Sequence, residues 1–304
     1  MVPVKPTVFI QTNDKQLIGA LVSEYSLKRN SAKAEAFDVR ILHYENYPFF
    51  RAREGQLFQR GGGWRAWESD DLQSFTPLRF MPPELMGYRG RALVIDPDVF
   101  AIGEVWDLLA RDMAGKAVMC VPRPGHNDRA DYLATSVMLL DCAKLAHWRV
   151  ERDFNEMFEG KRDYVEWIDL GLESRGTIGL LEPEWNDFDH LDEKTRLLHN
   201  TKRRTQPWKT GLPIDFTVRP AKLGANPGSW VRFAKQRLLG DGKGREHYKR
   251  HPDPRQERLF VELLGECVAK GVVARALLKE HMAKNNVRHD ILALIDAERP
   301  LAAE

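Results

Sequence analysis

The chain has little cysteine, and what it has is not arranged for chemistry. Cys120, Cys142 and Cys267 form an odd set without metal-ligand spacing, each in an apolar or helical stretch. Buried thiols in a reducing compartment are the expectation. A charge excess is also lacking. The 46 Lys and Arg against 44 Asp and Glu leave +2, so global charge gives no argument for nucleic acid as a partner. No run of about 18 uninterrupted apolar residues could span a bilayer, and residues 1–7, broken by Pro3 and Pro6, do not read as a secretory apolar segment. A cytoplasmic location is expected, with a peripheral place on the inner face of a membrane left open. Internal repeats and low-complexity tracts are missing too. What is there is a 304-residue chain with 43% hydrophobic residues, enough for one large domain plus an appendage.

Short apolar runs alternate with helical patterns. Val8-Phe9-Ile10 reads as a strand with Gln11-Thr12-Asn13-Asp14 at its carboxyl end, where Asp14 is placed to cap a helix carrying Ile18, Leu21, Val22 and Tyr25. Phe37, Val39 and Ile41 alternate as a half-buried strand, and residues 43–70 read as a long, irregular, aromatic and Gly-rich loop. A helix is expected from near Asp70 to Pro82-Pro83, followed by strands at 92–95, 117–121 and 136–140. Helical material then fills 142–172, and short strands lie near 178–181 and 196–199. Strands alternating with helices indicate an α/β sandwich around a mixed, mostly parallel sheet, in which ligands bind beyond the strands' carboxyl ends.

Composition changes after about residue 218, which sets an expected boundary between a domain at 1–218 and a basic, mainly helical C-terminal extension at 219–304. Residues 232–258 hold nine Lys and Arg against four acidic residues. Asp253-Pro254-Arg255-Gln256 is a helix start, with an N-cap Asp, Pro in the first turn and Gln at the capping-box position. Phe260, Leu263, Leu264, Cys267 and Val268 follow as one stripe, and a second helix is expected over 287–297.

The stretch with most to say is RALVIDPDVF at 91–100. The apolar run ends abruptly in Asp96-Pro97-Asp98. Residues two apart on an extended segment share a side, so both carboxylates can address one point. Pro97 keeps Asp96 out of helical geometry. Two hard oxygen ligands there suit Mg²⁺ or Mn²⁺, although Asp-Pro-Asp is equally an ordinary turn. His199 closes another strand and is followed by Lys202, Arg203, Arg204 and Lys209. A lone His is more often structural and a basic run more often a solvated loop. Together they also describe an imidazole completing a Mn²⁺ shell beside charges suited to a diphosphate. Arg79, before the Asp pair, could reach phosphate or cap a surface.

In order, QSFTPLRFMPPELMGYRGRALVIDPDVF, SVMLLD, EWNDFD and LLHNTKRRTQPW resemble the retaining glycosyltransferases of family eight, of the Rossmann-like GT-A fold, over residues 7–210. The resemblance implies Asp96 and Asp98 as the metal ligands of a DxD motif, with His199 as the third. It implies a nucleotide pocket lined by Gln11, Thr12, Asn13, Ile95 and Pro97, Arg79 approaching the donor phosphates, and Asn186 on the acceptor or sugar side. Mn²⁺ or Mg²⁺, a nucleotide-sugar donor that is UDP-linked, and a saccharide or lipid-linked hydroxyl acceptor follow as cofactor and partners.

The departures are equally specific. Ala134-Thr135-Ser136 stands where the family has Asn-Ser-Gly, and Gln206-Pro207-Trp208 stands where it has Lys-Pro-Trp, one residue further from His199. Lys202, Arg204 and Lys209 become the candidates for the diphosphate, closing over it when the donor binds. Asp169, with Glu166 as rival, is the candidate beneath the sugar. The alternative is a catalytically silent nucleotide-sugar-binding or scaffold protein of the same fold. A nucleic-acid module lacks an aromatic platform or groove-reading motif. For residues 226–298, peripheral membrane docking and packing or homo-oligomer formation are both expectations.

Overall fold

The structure, a computed structural model, describes residues 4–71, 74–125, 131–216 and 246–298. The chain divides into two compact units, Met1–Thr201 and Lys202–Glu304. That division falls ahead of the 218/219 boundary expected from composition and assigns the basic stretch after Thr201 to the second unit.

In the first unit the elements follow in order: β1 (Thr7–Thr12), α1 (Leu17–Arg29), β2 (Asp38–His43), β3 (Leu57–Arg60), β4 (Gly63–Ala66), α2 (Pro82–Leu85), β5 (Arg91–Ile95), β6 (Val99–Ala101) and α3 (Trp106–Leu109). Then come β7 (Val118–Arg123), β8 (Tyr132–Asp141), α4 (Val150–Phe158), α5 (Tyr164–Ile168), β9 (Ile178–Leu180), β10 (Asp187–Phe188) and β11 (Leu197–His199). Every side chain of β1 is buried, and so are Ala92, Leu93, Val94 and Ile95 of β5, so these strands need cover on both faces. Alternation divides the cover. Phe9, Ala92 and Val94 enter one core with Trp148, Phe154 and Tyr164, while Val8, Ile10, Leu93 and Ile95 enter the other with Ala20, Leu27 and Leu108. The result is an α/β/α sandwich of the Rossmann-like GT-A class.

The main sheet runs β2-β1-β5-β8-β7-β9. β8 alone is antiparallel to its neighbours β5 and β7, and the other pairings are parallel. A small sheet, β10-β11-β6, is the device that matters for the site. β6 begins one residue after Asp98 and pairs antiparallel with β11, His199 opposite Val99.

Three local expectations are corrected. Asp14 lies inside a 3₁₀ turn, Asp14–Gln16, and Gln16 holds the N-cap position of α1 without a side-chain cap. The helix expected from Asp70 to Pro82 is a 3₁₀ turn, Thr76–Phe80, and Pro82-Pro83 open α2 instead of ending a helix, since proline suits a first turn that needs no N–H. Leu72 and Gln73, within that span, lie outside the described residues. Residues 43–70 are not irregular. Tyr44, Phe50, Phe58 and Trp67 are buried around Phe154, and β3–β4 is a hairpin whose loop, Gly61-Gly62, has φ of 60° and 76°. Two consecutive positive φ angles are the primed turn that matches strand twist, and glycine adopts them without strain.

In the second unit, α6 (Pro254–Ala269) starts where expected, with Asp253 accepting from the Arg255 N–H and Pro254 in the first turn. It is followed by α7 (Arg275–Ala283), which was not anticipated, and α8 (Ile291–Glu298). Residues 217–245, including most of the basic segment and its Gly240 and Gly244, lie outside the described residues.

Candidate active site

Asp96, Asp98 and His199 converge at the carboxyl end of β5. One ligand atom from each lies within 4.8 Å of the others. Local backbone bonds explain why. Val99 N–H donates to the Asp96 carbonyl at 3.2 Å, so Asp-Pro-Asp is also a turn, and the Asn200 N–H donates to the Asp98 carbonyl at 3.0 Å. Antiparallel β6–β11 pairing does the rest, carrying the His199 Nε2 to 3.3 Å from an Asp98 oxygen across a hundred residues of sequence.

Electrostatics bind the group together. Burial disfavours the charged His199, but the Asp98 carboxylate outweighs it and raises the imidazole's pKa above its ordinary value. Burial also pushes the Asp96 carboxyl up, with Asp98 adding, against the lowering by Arg79 and His199. Two carboxylates and an imidazole this close together are a donor set that could hold a divalent cation.

The residues behind the three are as informative. Asn186 is fully buried. Its Oδ1 lies 2.8 Å from His199 Nδ1, and its Nδ2 donates to Ser136 Oγ at 2.9 Å. With Nδ1 held on the Asn186 amide, Nε2 is the ring nitrogen that faces the carboxylates and the one that would ligate a metal. Asn186 therefore stands behind the histidine, not on the open sugar or acceptor side that the resemblance implies. Arg79 is likewise engaged. Its Nε donates to Asp96 Oδ1 at 2.8 Å, a second guanidinium nitrogen bonds Asp96 Oδ2, and the third donates to Thr135 Oγ1 at 2.9 Å. The side chain is a buried fork on a carboxylate, so its first role is to hold Asp96. A carboxylate so held keeps lone pairs for a cation.

Thr135 and Ser136 come from a bulge. Pairing between β7 and β8 jumps from Cys120 opposite Met138 to Val121 opposite Ala134, which leaves Thr135, Ser136 and Val137 as the insertion. The bulge turns Thr135 toward Arg79 and Ser136 toward Asn186, and the Asp96 N–H donates to the Ser136 carbonyl at 2.9 Å. Neither hydroxyl was assigned a function from sequence. Two signals marked the place without giving a role: their polarity at the head of the apolar run, and their departure from the family's Asn-Ser-Gly.

Gln11, Thr12 and Asn13 are buried at the carboxyl end of β1, beside β5. Gln11 Nε2 donates to Asp96, while Gln11 Oε1 and Asn13 Oδ1 have no hydrogen-bond partner among the described residues. Two buried acceptors without a partner leave room for N–H donors from outside the chain. Ile95 and Pro97 are buried. Asp169 is half-buried at the end of α5, next to Ile168, whose carbonyl accepts from Thr135 Oγ1 at 2.9 Å, whereas Glu166 is exposed. Lys202, Arg204 and Lys209 belong to the second unit. There Arg204 pairs with Glu246, and Lys209 is wholly buried on Asp215, which also accepts from the Tyr248 hydroxyl. Trp208 packs against Phe260, ring centroids 5.0 Å apart, so Gln-Pro-Trp serves the core of that unit.

No protein-family model matches the chain, and no curated protein does. Solved structures do. The apo form of the glycosyltransferase GlyE from Streptococcus pneumoniae TIGR4 is 14% identical, with a TM-score of 0.48 over 88% of this chain and 64% of that one, so the chain spans less than two thirds of GlyE. The galactosyltransferase LgtC, in complex with donor and acceptor sugar analogs, is 13% identical, with a TM-score of 0.50 over 86% of this chain and 95% of that one. Mouse xyloside xylosyltransferase 1 is 12% identical, with a TM-score of 0.41 over 64% and 97%. The likeness to LgtC is a likeness of fold.

Proposed function

We propose that the chain is a metal-dependent, retaining glycosyltransferase of the family-eight kind that moves a hexose from a UDP-linked sugar to a hydroxyl acceptor. One observation carries the reading: Asp96, Asp98 and a histidine whose Nδ1 is held on Asn186 meet at the carboxyl end of β5, on a fold shared with glycosyltransferases. When bound, the cation would neutralise charge that develops on the leaving diphosphate.

The chain's own groups supply the rest. Asn186 and Ser136 keep the His199 Nε2 aimed at the carboxylates, and Arg79 and Gln11 fix Asp96. The open acceptors of Gln11 and Asn13 would take the base, and Asp169 would serve the sugar. The silent-binder alternative explains this arrangement less well, because three mutually close ionisable groups are costly to bury without a cation. Screening UDP-, GDP- and ADP-hexoses for hydrolysis with Mn²⁺ tests the reading, with NMR of the anomeric product for retention. Turnover of a UDP-hexose is expected, and inertness toward the whole panel would refute it.

A further inference from the structure

Among the described residues six large apolar side chains are exposed, and three gather at the β3–β4 hairpin: Leu57 (58% exposed), Trp64 (57%) and Val165 (37%), which approaches the hairpin tip at Gly61. Strand register sorts the hairpin into two faces. Gln59 opposes Trp64 and Leu57 opposes Ala66, so these four share a face, and Phe58 and Arg65 lie on the other. Phe58 anchors the inner face on Trp67 and Tyr164, ring centroids 5.5 and 5.8 Å away, and the Arg60 guanidinium sits 4.4 Å from the Tyr164 ring. The outer face is left with an indole, an amide and a leucine. The edge of the indole lies beside Gly160, where an added Cβ would come within 3.3 Å of it. A large aromatic left open to water is the usual anchor of a binding surface.

What binds can be argued from charge and position. Residues 57–71 carry Arg60 and Arg65 against Glu68, Asp70 and Asp71, so no basic excess attracts anionic lipid. A flat π face beside an amide suits a neutral sugar ring, C–H groups on the indole and hydroxyls on the amide. The hairpin is also tied to the site. Gly62 N–H donates to Asp163 at 2.9 Å, and Asp163 caps α5. The far end of α5 receives Thr135, which holds Arg79. Five helical residues rise about 7–8 Å.

We infer that the outer face of the β3–β4 hairpin, centred on Trp64 with Gln59 and Leu57, is a platform for the distal residues of a neutral oligosaccharide acceptor. This rests on reading the site as a glycosyltransferase. The full chain, Trp64→Ala and Trp64→Phe are to be compared on an array of neutral malto-, cello- and lacto-oligosaccharides. Parallel sedimentation uses phosphatidylcholine vesicles with and without phosphatidylglycerol, and thermal midpoints confirm folding. Wild type should retain a neutral oligosaccharide, Trp64→Ala should bind it about tenfold or more weakly, and Trp64→Phe should keep most of the binding. Equal retention by Trp64→Ala, retention of no saccharide by wild type, or vesicle binding lost in its place would overturn the platform. Wild-type hydrolysis of the nucleotide-sugar panel is scored separately, so failure of the transferase reading is seen on its own.

Discussion

At the scale of the residue, Asn186 decides how His199 presents itself. Removing such a partner leaves the ligand in place but unoriented, which typically costs 10–100-fold in metal affinity. Asn186→Ala is therefore expected to raise the Mn²⁺ concentration needed for half-maximal turnover by about 10–100-fold. Asn186→Asp, which keeps an acceptor for Nδ1–H, should recover most of it. An unchanged Mn²⁺ requirement in the alanine variant would remove Asn186 from this role. Arg79 acts on stability first. Arg79→Ala strands the Asp96 carboxylate in the core, and breaking a buried pair from one side costs about 3–5 kcal/mol. Urea unfolding should show that loss, and Arg79→Lys should recover only part, because an ammonium is not a fork.

At the scale of the element, the β8 bulge and the β6–β11 pairing assemble the site. Thr135 links the two halves, accepting from Arg79 and donating to the Ile168 carbonyl. Thr135→Val leaves both partners without it and should lower the urea midpoint, with unchanged slope, by the equivalent of about 1–3 kcal/mol. No change in midpoint would mean that the bulge is held by other bonds. These elements also mark what sequence could tell. Ala92, Leu93, Val94 and Ile95 announce a buried strand by their run, and Asp96 and Asp98, two apart, announce two carboxylates that address one point. His199 was legible because the order of motifs resembles a family. The bulge was not, because Thr135 and Ser136 at the head of an apolar run read as the end of a strand, not as an insertion within one. Nor was the β3–β4 hairpin: one strand is partly polar and the other nearly all exposed, so neither alternates cleanly. Arg79 and Lys209 misled for one reason. A basic side chain near a phosphate site and one on a buried carboxylate look alike until the partner acid, Asp96 or Asp215, is placed.

At the scale of the whole molecule, the second unit has its own acid-sensitive lock. Glu257 is buried in α6, where Arg288 donates to it at 2.7 Å and Arg250 at 3.2 Å. Burial would raise its pKa, but the two guanidinium groups prevail and lower it. A depressed folded-state pKa gives stability that is present above the unfolded value, about 4.3, and is lost as pH falls through the folded one. The thermal midpoint of Glu257→Gln should therefore lie below wild type at pH 7, with the gap closing under about pH 4; a gap independent of pH would assign the effect to packing. For the first unit the central claim is that Asp96, Asp98 and His199 work through a cation. Its most direct test is the Mn²⁺ dependence of UDP-hexose turnover in wild type and in Asp98→Ala, with folding checked by thermal midpoint. Wild type should fall to background in excess chelator and recover with Mn²⁺, and Asp98→Ala should stay at background throughout while remaining folded. Full turnover by wild type in excess chelator, or by Asp98→Ala at any Mn²⁺ concentration, would contradict it.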